Sequence, residues 1–72
     1  MRYFVDYQYA VTYEESCCIH DIRKGEIEFD NRQDAIVKFL ELMEKFSDYY
    51  AFYVSVADAF GNVLTRHSKK SE

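Results

Sequence analysis

Residues 2–14 read RYFVDYQYAVTYE, and their pattern is the clearest structural signal in the chain. Tyrosine or valine occupies every odd position from Tyr3 to Tyr13, and most even positions are polar. Strict alternation over a dozen residues rich in Tyr and Val predicts a strand with one buried face. At about 3.3 Å per residue this strand would be about 40 Å long. We therefore expect Val5 to Val11 in the core and Tyr3 and Tyr13 at its rims.

Residues 30–48, DNRQDAIVKFLELMEKFSD, predict one amphipathic helix. Asp30 and Asn31 are both good N-cap residues, and either places a polar side chain at the third helical position. The predicted apolar face recurs at i, i+3, i+4 and i+7. It comprises Ala35, Ile36, Phe39, Leu40, Leu42, Met43 and Phe46.

The segment between the first strand and the helix predicts one or two further strands. Residues 17–22 favour a second strand, with a hairpin turn at Arg23-Lys24-Gly25 and Gly25 at a positive φ. Residues 26–29 alternate cleanly and predict a short third strand, or the bent continuation of the second.

After the helix, the chain predicts a hairpin. One strand should carry two alternating series of side chains, and the series that should face the core is Tyr50, Phe52, Val54 and Val56. The other series is Tyr49, Ala51, Tyr53, Ser55 and Ala57. Asp58 to Asn62 is a predicted turn, in which Asp bonds the backbone ahead and Gly61 supplies the left-handed conformation. Residues 63–67 would form the closing strand.

These elements define an α+β fold, an antiparallel sheet of four to five strands with one helix packed on one face. The predicted order is β-β-(β)-α-β-β. We expect one domain over residues 1–67 and a disordered tail over residues 68–72, because the tail has no apolar residue to anchor it. One helix covers only one face of a sheet. The other face must be solvated, dimerised or used for a partner.

Composition excludes several classes of function. The net charge of −4 disfavours direct binding to nucleic acid, which needs clustered Lys and Arg. The start of the chain lacks the apolar region of a signal peptide, and no uncharged run is long enough for a membrane span. The adjacent Cys17 and Cys18 cannot easily bridge each other, which fits a reducing compartment. We expect a cytoplasmic protein.

Cys17, Cys18 and His20 are the residues that invite metal or thiol chemistry. A tetrahedral site would need further ligands, and the chain has no Cys-x-x-Cys pair. Partly buried strand residues are the simpler interpretation. The sequence also carries no catalytic triad spacing or glycine-rich phosphate loop. We therefore predict no enzyme activity, no metal and no cofactor.

Two groups of residues are candidates for binding a partner protein. Glu26, Glu28 and Asp30 place three carboxylates on one strand edge, as a nucleic-acid mimic would, although a solvated surface would look the same. Tyr49 and Tyr53 alternate with the core residues of their strand and should project from the uncovered face. Tyrosine is enriched at interfaces, but cross-strand packing on a wet face is the alternative.

The even side of the first strand would enlarge the tyrosine surface. Phe4 and Ala10 lie on that side and would extend the apolar patch of the uncovered face. The resulting patch is larger than a monomer usually leaves exposed.

The chain also resembles a family. A Tyr-rich opening strand leads into Phe29-Asp30-Asn31-x-x-Asp34-Ala35-Ile36, and a terminal hairpin turns at Asp58-x-x-Gly61-Asn62-Val63-Leu64. In size, acidity and element order this resembles small accessory proteins of phages and mobile elements, including the anti-CRISPR inhibitors. The resemblance implies a non-enzymatic protein in the host cytoplasm that binds and occludes a host defence nuclease.

Two other classes of function stay open. One is a small regulatory or structural homodimer that uses the Tyr-rich sheet face for self-association. The other is a metal- or redox-responsive protein that uses Cys17, Cys18 and His20.

Overall fold

The structure is a computed structural model that describes residues 2–17 and 22–70, apart from the side chains of Glu15 and Lys70. Within these ranges the elements follow in the order β1 (Tyr3–Ala10), α1 (Tyr13–Ser16), β2 (Arg23–Phe29), α2 (Arg32–Lys45), β3 (Ala51–Asp58) and β4 (Val63–Lys70). The strands form one antiparallel sheet in the order β2-β1-β3-β4, with α2 packed on it. This confirms the predicted α+β class. Neither described helix is long and apolar enough to cross a membrane.

The core lies between α2 and one face of the sheet. Val5, Val54 and Val56 are fully buried on β1 and β3, which confirms these three predicted core residues. The predicted core position of Val11 is wrong, because β1 ends at Ala10 and Val11 is 41% exposed. From the helix, Ala35, Phe39 and Leu42 are buried against them, and Phe46 follows at the helix C-cap. Burying aromatic and branched apolar side chains is the main stabilising contribution in so small a domain.

Helix α2 begins where the capping pattern predicts. Asn31 is the N-cap, in an extended conformation, and its side-chain oxygen accepts a hydrogen bond from the Asp34 backbone N–H at 2.8 Å. The Asn31 amide in turn donates to the Asp34 carboxylate at 2.8 Å. The predicted apolar face is wrong at Leu40, which is 57% exposed. Leu40 follows Phe39 by 100° around the helix, which carries it past the edge of the face that touches the sheet.

The first strand is shorter than its alternation predicts. β1 ends at Ala10, and Tyr13 begins the single helical turn α1 instead of a strand rim. A strand extends only as far as its neighbours pair with it. Tyr9 lies opposite Arg23, the first residue of β2, and Ala10 lies opposite Ala51, the first residue of β3.

The predicted hairpin turn at residues 23–25 is also wrong, because these residues open β2. Gly25 lies inside the strand opposite Tyr7, and its φ is not positive. A Cβ atom at Gly25 would lie 2.6 Å from Cζ of Tyr7, so the tyrosine ring occupies the space above the glycine. The predicted strand over residues 17–22 is not present at its ends, where Cys17 is in a turn and Ile22 precedes β2. Residues 18–21 lie outside the described residues.

The last hairpin confirms the predicted turn chemistry. Oδ1 of Asp58 accepts hydrogen bonds at 2.9 Å from the backbone N–H groups of Phe60 and Asn62, and Gly61 has a φ of 86°. β4 then continues through residue 70, so residues 68–70 belong to the sheet and not to the predicted tail. Lys69 shows why, since its Nζ donates to the Ser47 carbonyl at 2.6 Å and ties the strand to the end of α2.

Candidate functional site

The sheet face opposite α2 is the candidate site, and we call it the uncovered face. Residues paired directly in an antiparallel register share a face, and neighbours along a strand alternate between faces. Because Val5, Val54 and Val56 face the helix, the residues between them face the other way. The described members of the uncovered face include Lys24, Glu26 and Glu28 of β2, Phe4, Asp6 and Gln8 of β1, Tyr53, Ser55 and Ala57 of β3, and Val63, Arg66 and Ser68 of β4.

One end of the uncovered face is apolar. The register aligns Phe4 with Ala57 and Ala57 with Val63, so these three side chains form a row across β1, β3 and β4. Val63 is 53% exposed, and Phe4 and Ala57 are partly exposed. Phe60, in the adjoining turn, is 77% exposed. Exposed apolar side chains that adjoin one another in this way are typical of binding surfaces.

The next row of the uncovered face carries two carboxyl groups side by side. Asp6 lies directly opposite Glu26 in the β1–β2 register. The pKa of Glu26 is raised chiefly by a side-chain hydrogen bond with Asp6, then by the charge of Asp6, by desolvation and by the charge of Glu28. Like charges directly opposite each other destabilise a strand pair. Negative charge is therefore concentrated on the β2 side of this face.

The other two predicted acidic residues flank that pair. Oε1 of Glu28 forms an ion pair with Nε of Arg2 at 3.0 Å, and both side chains are exposed. Asp30 follows the end of β2 and is exposed. Exposed ion pairs contribute little to stability, so Arg2 remains displaceable by a partner.

A groove runs beside the carboxyl pair. Asp6, Gln8, Lys24, Glu26 and Tyr53 contribute to its lining, and its volume is about 390 Å³. Tyr53 lies opposite Gln8 on the uncovered face, as predicted, and is partly exposed. The groove thus brings two carboxyl groups together with the Tyr53 side chain.

Ser55 lies in the row of the carboxyl pair. It faces Asp6 on one side and Arg66 on the other in the register, and it is 4% exposed. Its neighbours on this face therefore shield it, although neither described helix covers them.

The predicted position of Tyr49 is wrong. β3 begins only at Ala51, so the strand alternation does not reach back to Tyr49. The Tyr49 ring packs instead on the helix side, with centroids 5.3 Å from Phe46 and 5.1 Å from Tyr9. The end of α2 turns the chain here, since the Tyr49 backbone N–H donates to the Phe46 carbonyl at 2.9 Å.

Ala10 also falls outside the predicted apolar patch. It faces away from α2 but is only 1% exposed, at the end of β1 where the chain turns into α1. The apolar part of the uncovered face therefore centres on Phe4 and the last hairpin.

The cysteine segment shows no assembled site in the part of the chain that is described. Cys17 is exposed in the turn after α1, and its side chain hydrogen-bonds with Tyr13, which is the main cause of a raised Tyr13 pKa. Cys18 and His20 lie outside the described residues. Within residues 2–17 and 22–70, no group of three or more His, Cys, Asp and Glu side chains comes together as metal ligands.

The structure thus brings together Glu26, Glu28 and Tyr53 on one face and separates Tyr49 from them. Sequence reasoning missed Asp6, although its even position next to Phe4 was a usable signal. Only the register shows that Asp6 faces Glu26. No protein-family model, curated protein or solved structure matches the chain.

Proposed function

We propose that this protein is a non-enzymatic inhibitor that binds another protein through the uncovered face. The observation that carries the proposal is the exposed apolar row Phe4–Ala57–Val63 on a sheet face that no described element covers. Tyr53 lies on the same face, separated from this row by the row that holds the carboxyl pair. Partly exposed aromatic side chains on such a face are common anchors of protein interfaces.

The acidic side of the face suggests the type of partner. Glu26, Glu28 and Asp30 lie along β2 and its end, where they would attract a basic surface before contact. A nucleic-acid-binding channel is such a surface. We therefore propose that the partner is a nucleic-acid-binding effector, with a host defence nuclease as the target and a phage or mobile element as the source of the inhibitor. It would act in the host cytoplasm.

A plaque assay tests this proposal. The chain would be expressed in bacteria that carry a nuclease-based defence, and phage plating would be measured across several defence types. We expect the parent chain to restore plating against one of them. Tyr53→Ala should lose roughly 2 kcal/mol or more of binding and hence most of the protection. Leu40→Ala, an exposed apolar change on α2, is the matched control and should protect like the parent.

Charge reversal distinguishes long-range electrostatic attraction, which sets the association rate, from direct contact at Tyr53, which sets the dissociation rate. With a purified effector, changing Glu26, Glu28 and Asp30 together to Lys should slow association strongly, and the parent's affinity should fall as salt rises. Tyr53→Ala should speed dissociation with little change in salt dependence. Parent protein that inhibits no nuclease in either assay would contradict the inhibitor proposal.

A homodimer is the second candidate, because the same apolar row would serve self-association. Sedimentation mass distinguishes the two. If the face is a dimer interface, Tyr53→Ala and Val63→Ser should convert a dimer into a monomer, while the charge reversals should leave the mass unchanged. A parent that sediments as a monomer at all concentrations removes this candidate.

A further inference from the structure

No cation among the described residues forms an ion pair with the carboxyl pair on the uncovered face. Of the described residues, Arg2 pairs with Glu28 and Lys38 pairs with Glu41, but none lies within ion-pair distance of Asp6 or Glu26. Lys24 lines the same groove without pairing. The pair therefore has no ion-pair partner among these residues, and its two carboxyl groups interact with each other: the pKa of Glu26 is raised chiefly by the side-chain hydrogen bond with Asp6 and next by the charge of Asp6.

The surroundings of the pair favour one kind of cation. A guanidinium group is planar, accepts no hydrogen bonds, donates to two carboxylates at once and stacks on aromatic rings. The groove offers these partners together, since Asp6, Glu26 and Tyr53 all line it. A cation over the face of a tyrosine ring gains a further contribution.

The apolar row Phe4–Ala57–Val63 indicates which other side chain the partner must present beside that cation. Phe4 and Asp6 lie two residues apart on β1 and on the same face, which places them about 7 Å apart. Ala57 and Ser55 have the same relation on the neighbouring strand. A partner segment that covers both rows must therefore present an apolar side chain and a cation at this spacing, as an extended segment does at positions i and i+2.

Building on the protein-binding function above, we propose that the uncovered face docks a basic segment of the partner with an arginine and an apolar residue two positions apart. The arginine lies in the groove between Asp6, Glu26 and Tyr53, and the apolar side chain covers Phe4, Ala57 and Val63. The complementarity of charge and of apolar surface along the same strands specifies this occupant.

Short capped peptides in a Ser/Thr background test this directly. The probe carries Arg and Leu two residues apart, one control replaces Arg by its neutral isostere citrulline, and another replaces Leu by Ser. Binding is followed by amide chemical shifts of the parent chain. We expect the probe to shift the amides of Phe4, Asp6 and Ser55, and each control to bind about tenfold more weakly.

A variant of the protein completes the cycle. Asp6→Asn removes a like-charge contact, so it should fold at least as well as the parent. It should weaken the arginine probe about tenfold and leave the citrulline peptide unchanged. Equal binding of the arginine and citrulline peptides, shifts confined to α2, or no shifts at millimolar probe would each overturn the inference.

The same variant separates this inference from the proposed function. If Tyr53→Ala abolishes inhibition of the effector while Asp6→Asn leaves it intact, the face binds a partner but not through an arginine. If the probe binds as expected but no effector is inhibited in any assay, the docking chemistry stands and the inhibitor function falls.

Discussion

Phe46→Ala should bring the domain close to unfolding. The Phe46 side chain is 2% exposed, and its ring centroid lies 4.6 Å from Tyr9, 5.3 Å from Tyr49 and 6.1 Å from Phe52. Truncating a buried Phe costs about 3–5 kcal/mol, which includes the lost aromatic pairs. A chain of 72 residues has a total stability of roughly 4–10 kcal/mol. The variant should therefore keep only a small part of the parent's stability.

Urea unfolding followed by far-UV circular dichroism measures this effect. With a slope of about 1 kcal/mol per M for so small a protein, the midpoint should fall by about 3 M or more. Leu40→Ala is the matched control on α2, because Leu40 is 57% exposed and alanine is the better helix former. Its midpoint should stay within about 0.5 M of the parent. Equal losses in the two variants would show that the assigned buried face of α2 is wrong.

Three further changes probe the sheet and its charges. Gly25→Ala should lower the free energy of unfolding by about 1–3 kcal/mol, because the new methyl group would displace the Tyr7 ring. The loss should be smaller in a Tyr7→Leu background, and equal losses in the two backgrounds would contradict this packing. The pKa of Glu26 is raised in the folded protein. Its favourable contribution to the free energy of unfolding is therefore complete below the pKa of the unfolded chain and is lost as pH rises through the pKa of the folded protein. Glu26→Gln should therefore raise the melting midpoint near neutral pH and change it little in acid, and a lower neutral midpoint would contradict the repulsion. The pKa of Asp58 is lowered chiefly by the hydrogen bond from the Asn62 backbone, so its contribution is present above the unfolded pKa and is lost as pH falls through the folded pKa. Asp58→Asn should lower the melting midpoint near neutral pH but not in strong acid. A loss that is the same at every pH would show that the carboxylate charge is not what stabilises the turn.

Local patterns were sufficient to predict the helix and the last turn. The cap at Asn31 and the Asp58–Gly61 turn depend on residues within four positions of one another, and each side chain has the partner that its spacing predicts. The alternation of β1 and β3 likewise identified Val5, Val54 and Val56 as core. Such features are encoded locally because the groups that stabilise them are close in the chain.

Strand ends could not be predicted in this way. The alternation of β1 continues past Ala10, but the strand stops there because its register with β2 ends at Tyr9 and its register with β3 ends at Ala10. Gly25 looks like a turn residue until Tyr7 is placed across from it. The end of the chain looks like a polar tail, yet Lys69 bonds to the carbonyl of Ser47, twenty-two residues away in the chain.

The candidate site depends on tertiary structure even more strongly. Sequence periodicity assigned Glu26, Glu28 and Tyr53 to surfaces, but it gave Tyr49 the same assignment although that ring is partly buried and packs against the core. The opposition of Asp6 and Glu26 joins residues twenty positions apart, and only the register of β1 on β2 creates it. A strand's own residues determine which faces alternate, whereas its neighbours determine which side chains meet.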